Sequence, residues 1–188
     1  MQKLETSLPG VWELRPNTHS DTRGCFVEAY HAERFAELGI GDTFVQDNHY
    51  YSVHGALRGL HYQLKHPQAK LCCVLEGIAL DVVVDIRRGS PHFGKSAVVL
   101  LSAELRNQLY IPAGFAQGFL SFRGPTQFLY KCGALYDPTE EFGIAWNDPD
   151  LAIPWQFGNP VVSAKDSGFR RLKDILEKAP HHLPVFGG

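Results

Sequence analysis

The sequence predicts a mainly β fold, an antiparallel sandwich or barrel with a few peripheral helices. Three observations carry this. Short runs rich in Val, Ile, Leu and aromatic residues recur between Lys70 and Leu135, with Gly or Pro separating them at even spacing. Aromatic residues are abundant, with 12 Phe, 7 Tyr and 3 Trp, and such side chains suit a pleated, half-buried surface. Helical periodicity is confined to one early and one late segment, so strands and helices do not alternate as in parallel α/β folds. A chain of 188 residues suits one domain, 1–188, with room for a sizeable core.

Val11 to Arg15 alternates weakly and reads as a short strand. Asp21-Thr22-Arg23-Gly24 is a turn, and Cys25 to Tyr30 is the strand that follows it. His31 to Leu38 reads as a helix closed by Gly39, since glycine adopts the left-handed backbone of a helix C-terminus. Thr43 to Ser52 alternates and is rich in aromatics. Lys70 to Leu75 and Ile78 to Ile86 are strands parted by a Glu76-Gly77 turn. After the break at Arg88-Gly89-Ser90-Pro91 come Lys95 to Leu101, Gln108 to Ile111, Gln117 to Phe122 and Gln127 to Leu135. Phe169, Leu172, Ile175 and Leu176 recur at helical spacing, giving a C-terminal helix over about 168–178. The tail from Pro180 carries no periodic signal.

Charged residues are 20% of the chain and the formal net charge is −2, so no basic field advertises nucleic acid and any anion site is local. The N-terminus lacks the apolar stretch of a signal peptide, and no run approaches the ~18 apolar residues of a membrane span. The expectation is a cytoplasmic protein without a membrane partner. Cys25, Cys72, Cys73 and Cys132 show no metal-type spacing and read as reduced thiols.

The chemistry concentrates in Leu57-Arg58-Gly59-Leu60-His61-Tyr62-Gln63, where an imidazole and a guanidinium lie three residues apart. A group titrating near neutrality beside a fixed cation is raw material for proton transfer on an anionic substrate. His61 could equally be a metal ligand or a packed structural residue. Gly55 with His61 and Gln63, and Pro112-Ala113-Gly114-Phe115-Ala116-Gln117, are similar to the two metal-site motifs of the cupin class of small β-barrels. That class, in its metal-binding members, has His where this chain has Gln63 and Gln117. One His and two amides make a poor divalent site, so no metal is expected.

Taken together, ordered motifs resemble the dTDP-4-dehydrorhamnose 3,5-epimerase family of nucleotide-sugar epimerases. They include Asp21 to Gly24, Phe44-Val45-Gln46-Asp47-Asn48, Leu57 to Gln63, Gln68-Ala69-Lys70-Leu71, Asp81 to Arg88 and Ile111 to Leu120. Phe128-Leu129-Tyr130-Lys131, Trp146-Asn147-Asp148-Pro149 and Ser163-Ala164-Lys165-Asp166 complete a match over about 20–166. The resemblance implies a cupin-type barrel or jelly roll and cofactor-independent epimerisation of a nucleotide-linked 4-keto-6-deoxy sugar, at C3, C5 or both. It implies His61 as base, polarised by Asp166, Lys70 as stabiliser of an enolate oxygen, and Tyr130 as proton donor. Arg58 would pair with the diphosphate, and Gln46, Asn48, Asp81, Gln117 and Tyr136 would line the substrate site. Arg23, Phe26 and Glu28 match an N-terminal segment that helps line the nucleotide site in homodimers of the family.

Two departures bear on specificity. The family usually has His at Gln117, paired with the carboxylate matching Asp81, and often Tyr at Leu135. An amide can hydrogen-bond but cannot carry charge or shuttle a proton. These changes leave open the sugar and the number of centres inverted. Other readings are a monoepimerase, a keto-sugar isomerase, a non-catalytic sugar-nucleotide binder and a metal-dependent oxygenase. Residue by residue, Asp166 could instead cap a helix, Tyr130 could be core, and Lys165 with Arg170, Arg171 and Lys173 reads as a solvated helix face.

Overall fold

A computed structural model describes residues 1–187. The chain forms a ten-stranded, almost wholly antiparallel sheet and a separate hairpin. The strands are β1 (Gln2–Glu5), β2 (Trp12–Arg15), β3 (Thr18–Asp21), β4 (Gly24–Val27), β5 (Gln46–Ser52) and β6 (Ala56–Gln63). They continue with β7 (Lys70–Asp85), β8 (Ser96–Ser102), β9 (Gln108–Ile111), β10 (Phe115–Cys132), β11 (Glu141–Gly143) and β12 (Val161–Val162). Helices are short: α1 (Ala32–Glu37), α2 (Ala164–Ser167), α3 (Leu172–Lys178) and one 3-10 turn, Pro180–His182.

The organising feature is the pair β7 and β10, 16 and 18 residues long, which run antiparallel along each other. Each belongs to two layers. The first part of β7 pairs with β9 and the later part with β8. The first part of β10 pairs with β6 and the later part with β5. Both strands bend where Glu76-Gly77 faces 123–127, with register shifts on the β10 side. Gly77 has φ +80°, and a Cβ there would sit 2.3 Å from the Pro125 carbonyl oxygen, so only glycine fits the fold-over. The residues read as a turn between two strands are therefore a bend within one strand. The break between 122 and 127 is likewise internal to β10.

Three apolar clusters show why the middle of the sequence is so uniformly hydrophobic. Cys72, Val74, Ala79, Val83, Phe115, Phe119 and Phe128 fill the space between the layers. Leu80, Val82, Val84 and Leu120 pack on the other face, under Trp155 and α3. Leu71, Tyr110 and Leu14 pack under Phe35 of α1. With both faces covered, β7 reads as a continuous apolar run rather than an alternation. No helix among the described residues is long and apolar enough to cross a membrane.

Candidate active site

The site is a cavity of about 420 Å³ opening between the layers, and its wall includes His61, Lys70, Gln117, Tyr130 and Asp166. Its floor depends on a close approach of two backbones. A Cβ on Gly59 would lie 2.5 Å from the Gly118 Cα, and one on Gly118 would lie 2.7 Å from the Arg58 carbonyl oxygen. These two glycines let β6 and β10 touch where His61 registers with Gln117, and a β-bulge follows between Gln117 and Phe119.

His61 and Asp166 form the first couple in the cavity wall. The Nε2 atom of His61 lies 2.8 Å from Oδ1 of Asp166. An ionised carboxylate can only accept, so Nε2 carries the proton and Nδ1 keeps a free lone pair. Asp166 also accepts from the Gly59 amide at 3.1 Å. Burial alone would raise its pKa. The hydrogen bond from His61, with the Gly59 and Ser163 contacts, outweighs burial and holds it below the ordinary carboxylate range. Asp166 does not cap α2. Ser163 does, its Oγ accepting from the Asp166 amide at 3.1 Å, which leaves the Asp166 carboxyl free to face His61. The ring of Phe169 meets that of His61 edge-on at 5.7 Å. Phe169 was expected inside the last helix. It instead lies before α3, against Gly143, where any Cβ would fall 2.2 Å from its ring.

Lys70 opens β7 and donates to Oε1 of Gln117 at 3.1 Å. Gln117 in turn donates from Nε2 to Oδ1 of Asp81 at 3.0 Å. The Lys70 ammonium also lies 5.7 Å from the ring centroid of Tyr130. Tyr130 stacks on Tyr50 at 5.9 Å, and burial followed by its Tyr50 neighbour pushes its pKa above the usual phenol value, keeping the hydroxyl protonated. Tyr130 shares the inner face of β10 with Phe128, and that face borders both core and cavity.

Asp81 is fully buried, and its Oδ2 has no hydrogen-bond partner. Burial pushes its pKa up to about 7, against the Gln117 hydrogen bond, the Lys70 charge and the Val82 amide. A carboxyl whose pKa is raised on folding stabilises the fold below its ordinary value of 3.8, and that stability is lost as pH rises toward 7. Asp81→Asn, which never ionises and keeps one acceptor for Gln117, should therefore melt roughly 2–8 °C above wild type near pH 8 and equal it near pH 4. Circular-dichroism melts across that range check this.

Toward the cavity mouth, the Arg58 guanidinium lies 4.3 Å over the Tyr50 ring and its Nε donates to Ser52 Oγ at 3.1 Å. Gln46 donates to Asn48 Oδ1 at 2.9 Å and accepts from the Tyr136 amide at 2.9 Å. The Tyr136 hydroxyl donates to Glu141 at 3.0 Å, and Glu141 is also ion-paired with Lys165. Glu141 and Lys165 line the same cavity, Glu141 with no mark in the sequence and Lys165 expected there only as part of a solvated helix face. The signal available for Lys165 was its place next to Asp166. Its side chain is 55% exposed on α2, so it is a solvated helix residue that also forms part of the cavity wall. Gln63 spends its amide on the His66 and Leu135 carbonyls and the Asp137 amide, tying two loops together. The Leu135 side chain is 66% exposed and does not line the cavity, so of the two departures only Gln117 bears directly on it.

Arg23, Phe26 and Glu28 are not brought to this cavity within one chain. Arg23 and Phe26 sit on the β3–β4 hairpin around a separate hollow, with Arg23 paired to Asp21, and Glu28 pairs with Arg34. Among the described residues, no group of three or more His, Cys, Asp or Glu is arranged to hold a metal ion.

A family model described as dTDP-4-dehydrorhamnose 3,5-epimerase matches residues 5–174. The dTDP-4-dehydrorhamnose 3,5-epimerase of Salmonella typhimurium is 46% identical over 176 residues, covering 92% of this chain and 96% of that one. Among solved structures, a dTDP-6-deoxy-D-glucose-3,5-epimerase from Legionella pneumophila in complex with dTDP-4-keto-L-rhamnose superposes with a TM-score of 0.95 at 42% identity. It covers 100% of this chain and 99% of its own. A 3'-monoepimerase from Streptomyces bikiniensis in complex with dTDP-quinovose gives 0.90 at 35% identity, covering 98% of this chain and 93% of its own.

Proposed function

Because the chain belongs to the dTDP-4-dehydrorhamnose 3,5-epimerase family, and so is an isomerase, we propose that it inverts one or both carbons flanking the ketone of a dTDP-linked 4-keto-6-deoxy sugar. The observation that carries this reading is the His61–Asp166 couple sharing one cavity with Lys70 and Tyr130. The C–H bonds beside a ketone are acidified. Nδ1 of His61 takes a proton from one such carbon, and the electron pair moves onto the ketone oxygen to give an enolate. Asp166 holds the imidazole in the correct tautomer and offsets the charge it gains. Lys70 stabilises the enolate oxygen, which is more basic in the transition state than in the ketone. The Tyr130 hydroxyl returns a proton to the opposite face, inverting the centre, and solvent then resets both groups. No cofactor enters this sequence.

Arg58 serves the diphosphate, where a planar fork of donors suits phosphate oxygens. Gln46, Asn48 and Tyr136 form the wall beside it. The exposed β3–β4 hairpin, with Phe26 66% exposed, supports a homodimer in which Arg23, Phe26 and Glu28 reach the partner's nucleotide site. A monomeric sedimentation coefficient at micromolar concentration would overturn the dimer.

The test of substrate class is a panel of 4-keto-6-deoxy sugars linked to dTDP, UDP, GDP and CDP, followed by NMR. Conversion of the dTDP sugar ahead of the others supports the reading. Conversion of none, or of another nucleotide's sugar in preference, overturns it. The couplings of the product identify which of C3 and C5 has inverted, which is the point that Gln117 leaves open.

A further inference from the structure

Gln117 sits between a cation and a buried carboxyl. Lys65, Lys131 and Lys165 each reach a carboxylate directly, whereas the Lys70 ammonium bonds to a neutral amide. That amide is not free to turn. Lysine has only donors, so Oε1 must face Lys70, and the Asp81 acceptor then fixes Nε2 on the other side. A flipped amide would set NH₂ against ammonium and oxygen against carboxyl. Asp81 is itself immobile, being wholly buried on β7 opposite Phe119 of β10. The chain Asp81–Gln117–Lys70 thus runs from a fixed core carboxyl to the cation at the cavity wall.

We infer that Gln117, anchored by Asp81, is a positioning residue that aims the Lys70 ammonium into the cavity while keeping a carboxylate off it. A carboxylate in direct contact would neutralise the cation and take up its N–H groups. A neutral amide uses one N–H and leaves the charge, with two further donors, for a developing oxyanion. The amide acts through Lys70 rather than on the sugar, so its loss should weaken transition-state stabilisation more than ground-state binding. This inference rests on the epimerase reading above.

Gln117→Glu changes only the amide nitrogen to oxygen; it places a carboxyl oxygen on Lys70 and its other oxygen against Asp81, where the two carboxyls hold a proton between them. Gln117→Met keeps the length and removes both polar ends. Each is assayed with the dTDP-linked 4-keto sugar for kcat and KM, and by calorimetric titration with dTDP alone. The expected result for both is a kcat lower by about tenfold or more, with KM and dTDP affinity within about threefold. A raised KM with kcat retained would overturn the inference, because Gln117 would then be a simple substrate contact. Wild-type kinetics in either variant would overturn it too. So would loss of dTDP binding in the isosteric Gln117→Glu, which would make the amide part of the frame. Failure of the epimerase reading is distinguishable, since it would appear as absence of turnover in the wild type.

Discussion

Replacing His61 with Asn lowers kcat by about 10²–10⁴-fold and leaves dTDP affinity within about threefold. Nδ1 of His61 is the ring lone pair that the Asp166 contact leaves free in this cavity wall. An amide in its place cannot accept a proton from carbon at neutral pH. Binding should survive because the groups assigned to the diphosphate and nucleotide stand on other positions, Arg58 and the Gln46–Asn48 strand. Asp166 also keeps its Gly59 and Ser163 contacts, so α2 stays in place. Steady-state turnover and calorimetric titration measure the two quantities separately. A kcat within tenfold of wild type would remove His61 as the base.

Tyr130→Phe should uncouple exchange from inversion. The substitution removes only a hydroxyl, and the ring keeps its packing on Tyr50 and its contact with Phe128. Proton abstraction by His61 and stabilisation by Lys70 remain available, so the enolate still forms. Its opposite face then has no donor. The protonated imidazole, 25% exposed, exchanges with solvent and returns a deuteron to the face from which it took the proton. In D₂O the substrate therefore gains deuterium with configuration retained, while inverted product forms about 10²–10⁴-fold more slowly. NMR of the recovered sugar nucleotide reads both. Inversion at the wild-type rate would show that another group is the donor.

Much of this was legible in the sequence because period and punctuation survive in antiparallel strands. β8 and β9 fell close to where alternation placed them, and α1 ends at its Leu38 cap just before Gly39, whose φ is +84°. Two of the misreadings share one cause. Glu76-Gly77 and the stretch 123–127 carry turn residues because the strands fold over there, and local composition cannot separate a bend from a break. β6 was read for its chemistry rather than as a strand, since its apolar positions pass through Gly59 and a bulge. For the site, His61, Lys70, Tyr130 and Asp166 were named from motif resemblance, and folding brings them to one cavity. What one dimension could not supply was contact: the Ser163 cap that frees Asp166, the Phe169 ring against His61, and the amide bridge from Asp81 to Lys70. The pairing of Glu141 with Lys165 is likewise a product of β11 meeting α2 near the cavity mouth.

The central claim is that this cavity inverts carbon by moving protons through an enolate. It is tested most directly by running the wild-type reaction in D₂O and assigning deuterium in the product by NMR. The account predicts one deuterium at every inverted carbon adjacent to the ketone and none elsewhere on the sugar. Inverted product that retains its original hydrogen at those carbons would contradict it.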